Sequence, residues 1–189
     1  MIIGEKALIL CPIFRYFMIF AKEMKILAFL FAVLLAFKVE AQTSLKKVYD
    51  EDINPIEQID KAVAKAKLER KFVVCQVGGN WCPWCLRFAD FITKDATISQ
   101  VIDESFEYIH VNYNPRKSGG EQQQAAALMN RLDNCGRFGF PVFVVLDGDG
   151  KVIHIQDSNF LEEGQGYNQE KVLRFFKNWT PQAVSATSR

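Results

Sequence analysis

The chain has 189 residues, 49% of them hydrophobic, with 23 Lys and Arg against 22 Asp and Glu for a formal charge of +1. That balance excludes the electrostatic footprint of a nucleic-acid binder or of a protein held on anionic lipid by charge. Five cysteines in this length fall short of a disulfide scaffold, and the chain is long enough to bury a core without staples.

The first 41 residues read as a targeting segment. Met24-Lys25 is a short basic start, and Ile26 to Phe37 is an apolar run of about a dozen residues. This fits the ~7–15 residues of a secretory h-region and is short of the ~18 or more of a spanning helix. Val39-Glu40-Ala41 fits a small-residue cleavage site. The expected start is therefore Met24, with residues 1–23 an over-extension of the reading frame and cleavage after Ala41. A retained membrane anchor is the competing reading, since Ile2 to Phe20 is also apolar, although Glu5, Lys6, Pro12 and Arg15 interrupt it. Cys11 is a poor lipoprotein cysteine because Leu10 stands where a small residue is needed. Removing residues 1–41 takes away five basic and three acidic residues and leaves a formal −1. The expected location is periplasmic or otherwise extracytoplasmic, with membrane attachment only if the segment is kept.

Residues 42–53 form a polar lead-in, residues 54–180 the expected domain, and residues 181–189 a flexible tail. Asn54-Pro55-Ile56-Glu57 is a helix start: Asn caps, Pro suits the first turn, and Glu57 can reach back to the cap. Ile56, Ile59, Val63 and Ala66 recur at helical spacing, and Arg70-Lys71 closes that helix. Lys71 to Val77 is short, β-branched and apolar, a buried central strand. A helix is expected from Cys82, with Leu86, Phe88, Phe91 and Ile92 on its packing faces, and a further helical turn or two over Ile98 to Glu104. Phe106 to Val111 is a second strand. After the Asn114–Gly120 loop, Glu121 to Leu132 has high helix propensity. Pro141 to Leu146 is a third strand, Asp147 to Gly150 a hairpin turn, and Lys151 to Gln156 the returning strand. A polar loop over Asp157 to Gly166 precedes a final amphipathic helix, Asn168 to Trp179. Strands separated by helices are expected to pair in parallel, and the hairpin makes the last pair antiparallel. The class is α/β, with a central four-stranded mixed β-sheet flanked by helices.

Cys82 and Cys85 admit three readings. A structural zinc takes four Cys or His ligands, and only His110 and His154 accompany one cysteine pair here, neither at ligand spacing. A permanent staple across two residues closes a very small loop and stabilises weakly. A redox pair fits the placement best. Cys82 falls where a strand ends and a helix begins, and helix N-terminal amides stabilise a thiolate there. Cys82 would stand exposed as the attacking sulfur, and Cys85, one turn inside, would resolve the mixed disulfide.

Trp81-Cys82-Pro83-Trp84-Cys85 after a buried strand resembles the active site of the thioredoxin-fold family. Arg137-Phe138-Gly139-Phe140-Pro141-Val142 resembles the family's second signature, in which a cis proline opens a strand. The likeness covers about Pro55 to Trp179, and small exported proteins with a Trp-Cys-x-x-Cys site are similar in style. It implies a thioredoxin-like fold and makes Cys82 the nucleophile and Cys85 the resolving cysteine. It also implies that Trp81, Trp84, Phe140 and Pro141 meet the substrate, with Phe140 offering its backbone to a substrate strand. The expected activity is thiol–disulfide oxidoreduction, by reduction or exchange, on protein thiols and disulfides, with a separate redox partner. No cofactor and no metal is expected, and a monomer is expected. The alternatives are a binding module with little turnover and a dithiol oxidant.

Two positions depart from the family pattern. A buried Asp six residues ahead of the first Cys is replaced by Gln76, which cannot take a proton. The accompanying Lys maps near His110, which makes Gln76 and His110 the proton-relay candidates. The plainer reading of His110 is a strand residue facing solvent or bonded to backbone. Cys75 reads as a small core residue. Cys135 reads as packed and idle, or as a third redox partner near Pro141. The acidic turn Asp147 to Gly150 has too few oxygen ligands for calcium.

Overall fold

The computed structural model describes residues 45–114 and 120–187. The expected targeting segment, residues 1–41, lies outside them. Helix α1 (Pro55–Glu69) starts because Asn54 Oδ1 accepts from the Ile56 and Glu57 amides at 2.9 and 3.4 Å while Pro55 occupies the first turn. The Glu57 carboxylate lies 3.9 Å from Lys61 Nζ rather than back on the cap. Arg70 ends the helix in the left-handed region (φ 58°).

The chain continues through β1 (Phe72–Gly78), α2 (Pro83–Lys94), α3 (Ala96–Ser105), β2 (Phe106–Asn112) and α4 (Gly120–Arg131). A 3-10 turn at Cys135–Phe138 leads into β3 (Val142–Leu146) and β4 (Val152–Asp157). The four strands form one sheet in the order β2-β1-β3-β4. β1 and β2 are parallel, and β3 and β4 are antiparallel across the turn in which Gly150 adopts φ 78°. β1 and β3, however, are antiparallel, against the expectation that helix-separated strands run together. The register gives the reason. Gly78 pairs with Asn112 and Val77 with Val142, so the chain leaves β2 and re-enters at β3 on the same end of the sheet. That return places Pro141 beside the end of β1, where the cysteine motif begins.

Alternation along β1 divides the core. Val73, Cys75 and Val77 face Ile59, Ala62 and Ala66 of α1 and Leu128 of α4. Val74 faces Phe88 and Ile92 of α2, Ile98 and Ile102 of α3, and Val172, Phe175 and Phe176 of α5 (Gln169–Asn178). Complete burial of aromatic rings such as Phe88, Phe143 and Phe176 supplies roughly 1.5–3 kcal/mol each. Asp157 to Gly166 is more regular than expected: a 3-10 turn at Ser158–Leu161 precedes a two-stranded ribbon, β5 (Glu162–Glu163) with β6 (Gly166–Tyr167). The expected flexible tail is corrected as well, since Pro181–Thr187 forms helix α6.

Candidate active site

Cys82 is the N-cap of α2, extended at φ −103° and ψ 104°, and Pro83 takes the first helical position, where a missing N–H costs nothing. Cys82 Sγ accepts from the Cys85 amide at 3.2 Å. The two cysteines are joined by a disulfide, with their Cα atoms 5.2 Å apart. The sulfur of Cys82 thus stands at the positive end of a twelve-residue helix, an environment that favours thiolate over thiol.

The expected open exposure of Cys82 is corrected. Cys82 keeps 5% of its surface and Cys85 none. Leu45, Val48 and Tyr49 from the lead-in, together with Phe140, pack around the pair. The lead-in is therefore not loose at this point.

The Phe140–Pro141 peptide bond is cis, and Gly139 ahead of it adopts φ 85°, a conformation that favours glycine. The Phe140 carbonyl oxygen stands 3.7 Å from Cys82 Sγ. Trp81 is 43% exposed and anchored by its Nε1, which donates to the Tyr113 carbonyl at 3.0 Å. Its ring meets Phe140 edge-on at 5.6 Å, and Phe140 stacks on Tyr113 at 5.0 Å. Trp81, Tyr113 and Phe140 therefore form one aromatic wall, which Phe140 brings against the disulfide. Trp84 also packs against the cysteine cluster, and its ring is edge-on to Tyr167 at 5.6 Å, with the Arg87 guanidinium 5.1 Å from its centroid.

Beneath the pair, Gln76 is fully buried and is the hub of a polar network. Its Nε2 donates to the Cys85 carbonyl at 2.8 Å and to Tyr49 Oη at 2.7 Å, and its Oε1 accepts from the Tyr108 hydroxyl at 2.6 Å. Burial holds both phenols above the ordinary tyrosine range, so both hydroxyls keep their protons. Gly78 has no side chain because a Cβ there would stand 3.0 Å from Tyr49 Oη and collide with Cys85 Sγ.

His110 pairs with Gln76 in the β1–β2 register, and its ring stands edge-on to Tyr49 and to Tyr108, each at 5.4 Å. Its Nε2 is buried without a hydrogen-bond partner, and burial pushes its pKa down to about 4. It lies beside the network with its Nε2 bonded to neither Gln76 nor a cysteine. Cys135 is fully buried among the residues under α1 and α4, together with Cys75, in a different cluster from Cys82 and Cys85. Burial raises the Cys135 thiol to about 11 and lifts Cys75 further. Both are free thiols packed as small apolar residues. Among the described residues no three His, Cys, Asp or Glu side chains gather as a metal set.

Sequence reasoning missed Tyr49, Tyr108 and Asn80. Asn80 Oδ1 accepts from the Val48 and Tyr49 amides, both at 3.1 Å, and its Nδ2 donates to the Tyr49 carbonyl at 2.8 Å and to Glu51 at 3.0 Å. The available signal was Val48-Tyr49, an apolar pair inside an otherwise charged stretch.

No curated relative matches the chain. A solved structure described as a disulphide isomerase from Xylella fastidiosa Temecula1 is 24% identical, covers 71% of this chain and 97% of its own, and superposes with a TM-score of 0.58, a likeness of fold. A DsbH oxidoreductase is 16% identical over 72% of this chain and 88% of its own, with a TM-score of 0.46. The sequence model of the thioredoxin-like domain matches residues 59–157, from α1 through the cysteine pair and the Phe140–Pro141 bond to the end of β4, and the chain belongs to that family.

Proposed function

We propose that the protein is an exported thiol–disulfide oxidoreductase that reduces or exchanges protein disulfides through Cys82 and Cys85. The observation that carries the reading is the Cys82 sulfur at a helix N-terminus, bonded to Cys85 and facing the Phe140 carbonyl. In the reducing direction the Cys82 thiolate attacks one sulfur of a substrate disulfide. A mixed disulfide forms, and the other substrate sulfur leaves as thiolate with the electron pair. Cys85, deprotonated, then attacks Cys82 Sγ: the Cys82–Cys85 bond forms, the bond to the substrate breaks, and the substrate leaves reduced. Two electrons pass from the dithiol to the substrate, and a partner dithiol returns them. An extended substrate segment would run along the Gly139–Pro141 backbone, with Trp81 and Phe140 as its apolar contact.

Export is supported by the apolar run from Ile26 to Phe37 and the pattern at Val39-Glu40-Ala41. Among the described residues no helix is long and apolar enough to cross a membrane. The second reading, a binding module with little turnover, is favoured by the 5% exposure of Cys82. Insulin reduction by dithiothreitol separates the two. Wild-type acceleration at least tenfold above both Cys82→Ser and Cys85→Ser is expected, and a wild type no faster than the two variants leaves the binding module. The reduction potential of the pair, equilibrated against glutathione, assigns the direction of electron flow.

A further inference from the structure

We propose that, once the Cys82–Cys85 bond is reduced, the Tyr49 hydroxyl donates a hydrogen bond to the Cys85 sulfur and thereby sets the acidity of the resolving thiol, an inference that rests on the redox reading above. The argument begins at Gln76. The Cys85 carbonyl can only accept, so the end of the Gln76 amide that faces it at 2.8 Å is the nitrogen. The same nitrogen faces Tyr49 Oη at 2.7 Å, and the amide oxygen is taken by the Tyr108 hydroxyl at 2.6 Å. The Tyr49 oxygen is thus the acceptor toward Gln76, and its own hydrogen is aimed elsewhere. Gly78 shows where. The spot a Cβ would occupy lies 3.0 Å from Tyr49 Oη and against Cys85 Sγ, so hydroxyl and sulfur flank one small space with no side chain between them.

The remaining titratable and charged groups around the sulfur do not supply that donor. From β2 come Tyr108, committed to Gln76, and His110, turned edge-on to Tyr49. From α2 come Cys82, bonded to Cys85, and Arg87, lying over the Trp84 ring. From β6 comes Tyr167, whose hydroxyl donates to the Trp84 carbonyl at 3.1 Å. From the lead-in comes Glu51, which accepts from Asn80. Tyr49 is itself only 5% exposed and is fixed on both sides of its backbone by Asn80. In the resolving step the Cys85 sulfur must carry negative charge before it attacks Cys82. A donor at that sulfur favours the thiolate and adds little to the disulfide, whose sulfur is a weak acceptor.

The test needs no substrate, so it stands apart from the test of turnover. In the Cys82→Ser background, Cys85 is titrated by the ultraviolet absorbance of its thiolate. Adding Tyr49→Phe is expected to raise the Cys85 pKa by about one unit, a tenfold loss of thiolate, as for one hydrogen bond to a charged group. With both cysteines present, the same substitution is expected to make the pair more reducing, by about 30 mV per tenfold, at pH above both thiol pKa values. Should Tyr49→Phe fail to fold by circular dichroism, 3-fluorotyrosine at position 49, a stronger donor, is expected to lower the Cys85 pKa instead. A Cys85 titration that coincides with the parent curve in folded Tyr49→Phe, or with fluorotyrosine in place, overturns the proposal. A wild type without turnover but with a Tyr49-dependent Cys85 titration removes the redox function and leaves the contact standing.

Discussion

Asn80 grips the backbone of Tyr49 with both ends of its side-chain amide, Oδ1 accepting from the Tyr49 N–H at 3.1 Å and Nδ2 donating to the Tyr49 carbonyl at 2.8 Å. A motif residue two positions before Cys82 thus holds the segment that covers the cysteine pair, in the way a neighbouring strand would. Asn80→Ala removes these bonds and those to Val48 and Glu51. The expected cost is about 1–3 kcal/mol, felt mainly as local opening of the lead-in. Trypsin cleavage after Lys46 and Lys47, followed by mass spectrometry, should accelerate roughly tenfold or more, because 1.4 kcal/mol is a factor of ten. Unchanged cleavage would mean that the lead-in is held by its apolar contacts instead.

Gln76 satisfies three buried partners at once, and a leucine of similar bulk satisfies none. Gln76→Leu takes the side-chain donor from the Cys85 carbonyl and removes the acceptor of the Tyr108 hydroxyl inside the core. The expected loss is about 3 kcal/mol, or roughly 6–12 °C in Tm for a domain of this size. Thermal unfolding of the oxidised protein measures it. A change within 1 °C would mean that water repairs the network.

The elements were legible in the sequence because each carries its own local signal. Asn54-Pro55 starts a helix, Phe72 to Val77 is apolar and β-branched, and Asp147 to Gly150 turns a hairpin. The direction of β3 was not legible, because a helix between strands fixes neither which end of the sheet the chain re-enters nor the length of the return. The motif likewise located Cys82, Cys85 and Pro141, since spacing in the chain dictates them. What surrounds the pair was hidden because it arrives from afar. Tyr49 reaches Gln76 across 27 positions and Tyr108 across 32, and the apolar pair Val48-Tyr49 in a polar lead-in signals burial without saying against what.

His110 is held neutral by burial, with its pKa pushed down to about 4. An unfolded chain binds a proton there near pH 6.5, so the unfolded state gains protons first as pH falls. Stability is therefore lost progressively from about pH 6.5 to 4, by roughly 3 kcal/mol from this residue, and the loss levels off below that window. His154, also depressed by burial, adds a slope of the same sign. His110→Phe keeps a ring against Tyr49 and Tyr108, removes an unpartnered buried nitrogen, and should flatten the urea-derived stability curve between pH 6.5 and 4. It should also gain about 1 kcal/mol at pH 7. Parallel curves for the two proteins would show that the imidazole is solvated.

Gly78→Ala tests which of two neighbours gives way. The added methyl carbon would meet Cys85 Sγ, Tyr49 Oη at 3.0 Å and Cys85 Cβ at 3.4 Å. Cys85 is fixed within α2, whereas Tyr49 sits on a segment without regular structure, held by Asn80 and Gln76. Tyr49 is the member expected to move, at an overpacking cost of about 1–3 kcal/mol. Displacing Tyr49 and cutting its Asn80 clamp release the same segment, so the two losses overlap. Urea unfolding of Gly78→Ala, Asn80→Ala and the double variant should then show a double loss smaller than the sum by at least about 0.5 kcal/mol. Strict additivity would mean that the helix, and with it the Cys85 sulfur, is what yields.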